Sequence, residues 1–346
     1  MKKVLSLLTA AGLVLALAGC GATATTSTAA SSEAAPAASS EAASADEQGD
    51  LPVYTVGICQ LVQHAALDAA TQGFKDALTA KAEGKALIGF DEQNASGDSA
   101  NCSTIINGFV SSNVDLILSN ATAPLQAAAA ATADIPVLGT SVTDYATALE
   151  IEDWNGTVGG NISGTSDLAP LDQQAAMIQE LFPDAKNVGL LYCSAEPNSV
   201  YQCDEMEKFL TEMGYAVASY AFTDTNDVTS VAQTAADNSD VIYIPTDNTA
   251  ASNTEAIANV LLPAGVPAVT GEEGICTGCG VATLSISYYD LGYATGEMAA
   301  QILLEGADVS TMPVQYAPQV TKKYNAANCE QLGITVPDDY EAIAAD

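Results

Sequence analysis

The sequence predicts an α/β protein built as two doubly wound, parallel-sheet lobes, and three observations carry that expectation. Short apolar runs bounded by turn residues alternate with helical patterns. The alternation restarts once, near the middle of the chain. About 295 residues come after the N-terminal 50, which is too long for one ordinary core and suits two.

The chain opens on Lys2-Lys3, an apolar run from Val4 to Leu17, and Leu17-Ala18-Gly19-Cys20. A run this short does not span a bilayer, which needs about 20 apolar residues. Its basic start and the small residues before the cysteine are those of a bacterial lipoprotein signal. Residues 1–19 are therefore expected to be removed and Cys20 to carry lipid. From 21 to about 50 the chain is low-complexity Ala, Ser, Thr, Glu and Pro, which buries too little apolar surface to order itself. Residues 20–51 read as a solvated tether. The remainder of the chain is expected to be exported and held to the bacterial cell membrane only through the lipid.

The first strand-like runs are VYTVGICQ from Val53, ALIGF, VDLILS and IPVLG, with helical patterns such as Leu67–Ala80 and Pro124–Ala133 between or after them. Such an alternation makes a parallel sheet covered by helices on both faces. The second set is NVGLLY, YAVASYAF, DVIYI and VPAV, with helices near Leu171–Phe182, Asn198–Met213, Val228–Asn238 and Ala250–Leu262. After these come VATLSIS, a helix from about Tyr289 to Leu304 closed by Gly306, and a strand near Pro313–Val320. These last pieces read as returns of the chain between lobes, forming a hinge.

Charge narrows the partners. The formal net charge is −34, and losing Lys2 and Lys3 with the signal takes it to about −36. That field repels phosphate backbones, so nucleic acid is excluded, and no basic stripe opposes it. The sequence has no arginine. A bound anion must be held by backbone N–H groups, hydroxyls, helix N-termini or lysine.

Seven cysteines come after Cys20, and export permits disulfides, although an odd number leaves one thiol unpaired. Cys193 ends a strand and Cys203 starts the next helix, a first candidate pair. Cys59 and Cys102 hold comparable positions in the first lobe.

The segments VGICQLVQHAALDAATQGF, FDEQNASGD, IPVLGTSVTD, GGNISGTSD, PNSVYQ, YIPTDNTAAS, GEEG and YYDLGYATGEMAAQIL closely resemble substrate-binding lipoproteins of ABC importers. The family is the one that includes tryptophan-binding and other aromatic-amino-acid-binding members. The likeness runs from about residue 53 to 340, in order and without large gaps. It implies a type I periplasmic-binding-protein fold with three interlobe crossovers, no catalytic activity, no cofactor, a monomer, and an ABC permease as partner. The boundaries it implies are about 52–164 plus 288–316 for the first lobe and 165–287 plus 317–346 for the second, with crossovers near Thr165, Ser287 and Ala317.

An amino-acid ligand needs an acid for its ammonium and donors for its carboxylate, in a cleft that excludes water. Thr122, before Pro124 at a helix start, and Thr140 and Ser141, at a strand end, are the candidates for the carboxylate. The same residue types also make N-caps and ST-turns. Asp247 is first choice for the ammonium, with a helix cap as its alternative role. Glu272 and Glu273 come next, and adjacent residues of an extended chain point opposite ways, so at most one faces a ligand. Of the two, Glu273 is taken as the candidate. His64, the single histidine, reaches a ligand together with Gln60 or else serves the helix start. Asn94, Ser166 and Asn198 lie in loops of the matching segments. Tyr145, Tyr192, Tyr288 and Tyr289 are the rings available as an apolar wall, Tyr288 foremost. Trp154 has no assignable role.

Enzyme readings lack their parts. Cys276-Thr277-Gly278-Cys279 has no second pair for zinc and precedes a strand-like run instead of opening a helix, so neither a metal nor a redox site is expected. Cys59 with His64 has no orienting third group. No phosphate-binding glycine loop succeeds a strand. The expectation is an extracytoplasmic solute receptor for a small ligand, foremost an aromatic amino acid such as tryptophan, delivered to a permease. The alternatives are a ligand-sensing module for a signalling partner and a receptor for another class of solute.

Overall fold

The computed structural model describes residues 51–317 and 319–344, so the expected signal, Cys20 and all of the tether before Leu51 lie outside the described residues. In chain order, the first half comprises β1 (Val53–Gln60), α1 (Ala65–Ala82), β2 (Leu87–Asn94), α2 (Ser99–Ser112), β3 (Leu116–Asn120), α3 (Thr122–Ala131), β4 (Val137–Val142), the short α4 (Tyr145–Ala148) and β5 (Ile162–Ser166). The second comprises α5 (Leu171–Leu181), β6 (Asn187–Cys193), α6 (Pro197–Glu212), β7 (Ala216–Phe222), α7 (Val228–Ala236), β8 (Val241–Ile244), α8 (Asn248–Ala251), α9 (Thr254–Ala264), β9 (Ala268–Thr270), α10 (Glu273–Gly278) and β10 (Ala282–Ser285). The chain closes with α11 (Tyr288–Glu305), β11 (Gln315–Tyr316), β12 (Thr321–Tyr324), α12 (Ala326–Leu332) and β13 (Glu341–Ala342).

These strands form two sheets, in the orders β11-β5-β4-β3-β1-β2 and β13-β12-β10-β9-β8-β6-β7. Consecutive βα units make parallel neighbours, and the one antiparallel pair among the described strands is β10 with β12. The chain passes between the sheets three times: after β5, after β10, and between β11 and β12. Each sheet is covered on both faces. One face of the first packs Ile117, Phe109 and Leu125 together, the other Val56, Phe74 and Met298. Val188, Leu190 and Met206 fill one face of the second, Leu191, Ile244 and Leu261 the other. Each such side chain contributes about 1.5–3 kcal/mol when taken fully out of water.

Helix α11 returns to the first sheet and lies against α1, and three glycines set how closely the two meet. A Cβ on Gly292 would strike the Ala70 carbonyl, one on Gly73 the Tyr289 carbonyl, and one on Gly296 the Phe74 carbonyl. Ser287 caps this helix by accepting from Asp290 N–H (3.1 Å), and Gly306 ends it at φ +71°, as the sequence predicts.

Three elements differ from expectation. The helix expected over Ala250–Leu262 is two helices, because Ser252 Oγ and Asn253 Nδ2 donate to the carbonyls of Asn248 and Thr249 and end α8 after one turn. The run Pro313–Val320 is no single strand: β11 joins the first sheet and β12 the second, so that segment is itself a crossover. Ile162–Ser166 is a strand in a stretch whose sequence suggests a loop. Its buried Ser163 and Thr165 bond to Met312 O and Thr140 Oγ1, so polar contacts hold it where an apolar run would be the usual signal.

All seven described cysteines are free, buried thiols. The expected Cys193–Cys203 bridge is contradicted by strand alternation. Cys193 faces the α7 and α9 side of its sheet, whereas Cys203 packs on the opposite face with Met206 and Leu210. Cys59 and Cys102 do lie in one core, as buried thiols without a covalent link. Trp154, unassigned from sequence, stacks on Tyr145 at 6.5 Å between ring centroids and 12° between planes.

Candidate functional site

A small cavity lies between the sheets, past the carboxyl ends of their strands, which is where open parallel sheets bind ligands. From the first sheet it takes His64, Leu67, Ser141 and Thr143, and from the second Asn198, Thr246, Asp247 and Glu272. Asp167 and Tyr288, at the first and second crossovers, close it from the hinge. Its volume is about 10 Å³, room for one water molecule.

Local structure puts each group there. The pairing of β4 with β5 loses register between Gly139 and Val142, and Ser141, inside that irregularity, has φ +55°. Such a backbone is costly for a non-glycine residue, and the strain persists only where the surroundings enforce it. Here it turns the Ser141 hydroxyl into the cavity, buried and without a hydrogen-bond partner. Asp167 comes directly after β5 and is tied to β4 through its N–H, which donates to Val142 O (3.2 Å). Its Oδ2 accepts from Tyr288 OH (2.9 Å), while Oδ1 has no partner. Burial pushes this carboxyl above the usual range, against the Tyr288 hydroxyl, which favours the charged form.

The other two carboxyl groups are engaged by backbone. Asp247 caps α8: Oδ1 accepts from Ala250 N–H (2.7 Å) and Oδ2 from Cys193 N–H (2.6 Å). Burial, reinforced by neighbouring Glu196, pushes it up to about 8. Glu272 caps α10 by accepting from the N–H groups of Gly274 and Ile275, and burial pushes it up to about 7.

The lobes are joined across the cavity. Glu196 accepts from the Asn248 amide (2.7 Å) and so leaves Asn248 Oδ1 facing His64 Nε2 at 3.1 Å, with the imidazole N–H donating. Burial lowers the His64 pKa, which favours the neutral ring. Gln202 Nε2 adds a long contact to Thr143 Oγ1 at 3.5 Å. A larger, partly open cavity of about 810 Å³ adjoins, between Ala65 and Ala69 on one side and Gln319 and Thr321 on the other. Its Glu273 is already paired with Lys323 (2.6 Å). The unpartnered buried oxygens of Ser141 and Asp167 line the small cavity, so the chemistry resides there despite its size.

Of the residues singled out from sequence, His64, Ser141, Asn198, Asp247, Glu272 and Tyr288 meet at this cavity. The others do not. Gln60 is engaged within its lobe, donating to Val62 O and Asp68 Oδ1 and accepting from Thr71. Asn94 is exposed and makes a turn by accepting from Ser96 N–H (2.8 Å). Thr122 is buried at the start of α3, away from the cavity, and Thr140 accepts from Thr165 beneath β4. Ser166 donates to Thr143 O (2.8 Å), and Glu273 belongs to the larger cavity. Among the other rings, Tyr145 is core, Tyr192 packs in the second lobe and Tyr289 is exposed beside Asp76. Asp167, Thr143, Thr246 and Asn248 were missed. Asp167 would have been nominated by its place after a strand, had Ile162–Ser166 carried the usual signal of one.

The family model described as ABC transporter substrate binding protein matches residues 55–346. A tyrosine-binding protein of Clostridioides difficile (strain R20291) is 35% identical over 260 residues, covering 75% of each chain. An ABC domain in complex with L-Trp from Streptococcus pneumonia superposes with a TM-score of 0.80 at 30% identity, over 84% of this chain and 99% of its own. The ligand-free, open form of a Clostridium difficile substrate-binding protein with adhesive properties scores 0.65 at 33% identity, over 85% and 100%.

Proposed function

The chain belongs to the ABC transporter substrate-binding protein family, non-enzymatic solute receptors of ABC importers, and we propose that it captures an aromatic amino acid between its lobes for delivery to a permease. The observation that carries the ligand class is the cavity itself. It is shut between two sheets, rimmed by Tyr288 and Leu67, and holds both a carboxylate oxygen and a hydroxyl without partners. A zwitterion with an apolar body is complementary to that set. The relatives that bind tyrosine and tryptophan support the same reading.

Capture derives from hinge geometry. About 10 Å³ admits no amino acid, so the ligand enters with the lobes parted. Closing over it lets both sheets touch it at once, and the ligand thereby shifts an equilibrium between open and closed forms. The closer superposition on the tryptophan complex than on the open form, at similar identity and coverage, agrees with the shut cleft seen here. The lipoprotein box ending at Cys20 supports a receptor tethered outside the cell membrane.

The test is a thermal-shift screen of the purified protein against the twenty amino acids, nucleosides and common sugars. A ligand at 100 times its Kd adds about 2.7 kcal/mol to folded stability. A rise in Tm with tyrosine, tryptophan or phenylalanine is the expected outcome. A rise confined to sugars or nucleosides overturns the ligand class.

A further inference from the structure

Three carboxyl groups line the interlobe cavity, and hydrogen-bond accounting separates them. Asp247 has both oxygens engaged by the N–H groups of Ala250 and Cys193, and Glu272 has both engaged by Gly274 and Ile275. Asp167 is 4% exposed and has one oxygen, Oδ2, bonded to Tyr288, with Oδ1 bare. None of the described ion pairs includes Asp167, the chain has no arginine, and the only base on the cavity wall is His64. A buried carboxylate oxygen without a donor is costly, and an ammonium group brings both the hydrogen bond and the opposite charge.

Across the same cavity the Ser141 hydroxyl is the second unpartnered buried atom, held there by strained backbone. We infer that Asp167, and not Asp247 or Glu272, reads the ammonium group of the ligand, while Ser141 donates to its carboxylate. This rests on the amino-acid reading above and assigns its charge specificity to a hinge residue. Because Asp167 also accepts from Tyr288 at the second crossover, ligand charge is sensed where the lobes pivot. An aromatic acid without an amine leaves Oδ1 bare and is rejected for that reason.

The experiment is calorimetric titration of the wild type, Asp167→Asn and Ser141→Ala with two matched pairs of probes. These are L-tyrosine with 3-(4-hydroxyphenyl)propionate, and L-tryptophan with indole-3-propionate. The wild type is expected to prefer the amino acid by about 100-fold or more, the scale of a buried charged hydrogen bond. Asp167→Asn should lose most of that preference, down to about tenfold or less, with its binding of the amine-free acid confirming a folded cleft. Ser141→Ala should weaken both members of a pair and keep the preference. An Asp167→Asn protein that keeps the full preference overturns the assignment. So does a wild type that binds both members of a pair equally, an outcome that needs no variant. A wild type that binds none of the aromatic amino acids overturns the ligand class first, and this assignment with it.

Discussion

Ser141 shows how one residue holds stability and function in opposition. Its positive φ costs about 1–3 kcal/mol in a residue with a Cβ, and its hydroxyl is buried without a partner. Glycine adopts that backbone freely. Ser141→Gly is therefore expected to raise stability by about 1 kcal/mol in chemical denaturation and to weaken ligand binding by about tenfold. Unchanged stability would remove the strain argument. Sequence showed Ser141 as a hydroxyl at a strand end but not its backbone conformation, which arises from the slipped pairing of β4 against β5.

At the scale of elements, contact between α1 and α11 determines how the second crossover meets the first lobe. Gly73, Gly292 and Gly296 allow carbonyls of each helix to approach the other helix's backbone. Gly292→Ala places a methyl against the Ala70 carbonyl, and backbone has little room to yield. The expected cost is about 1–3 kcal/mol in urea denaturation, the range for overpacked cores. Because the crossover into α11 carries Tyr288 to the cavity, ligand affinity should fall as well. Most of these elements were legible from alternation of apolar runs and helical patterns. The strand β5 was not, because its buried positions are Ser and Thr satisfied by distant chain, and side-chain hydrogen bonds leave no periodic mark in a sequence.

For the whole molecule, the buried acids tie stability to pH. Asp247 sits at about 8 and Glu272 at about 7 when folded, against ordinary values of 3.8 and 4.5. Between those limits the unfolded chain has released protons that the folded one keeps, so stability falls as pH rises through the folded values. His64 has the opposite sign but acts only below its ordinary 6.5, where the unfolded chain takes up a proton that the folded one resists. From pH 8 down to 6.5 the two acids act without it. The Tm is expected to rise across that interval, and Asp247→Asn should flatten the rise. A Tm that falls instead would show these carboxyls to be ionised in the fold.

The sequence by itself determined the α/β alternation, the division into two lobes, the strongly acidic character and the lack of arginine. Those properties depend on residue type and spacing along the chain. It also supplied residues on both walls of the site, since His64, Ser141, Asn198, Asp247, Glu272 and Tyr288 lie at strand ends or helix starts. Only the tertiary structure decided which acid is free. Asp247 and Glu272 are the acids the sequence puts forward, yet N–H groups of helix starts and of Cys193 occupy their oxygens, while Asp167, at a crossover, keeps Oδ1 without a donor. Whether a carboxylate is available depends on the N–H groups that surround it, and folding alone brings those into place.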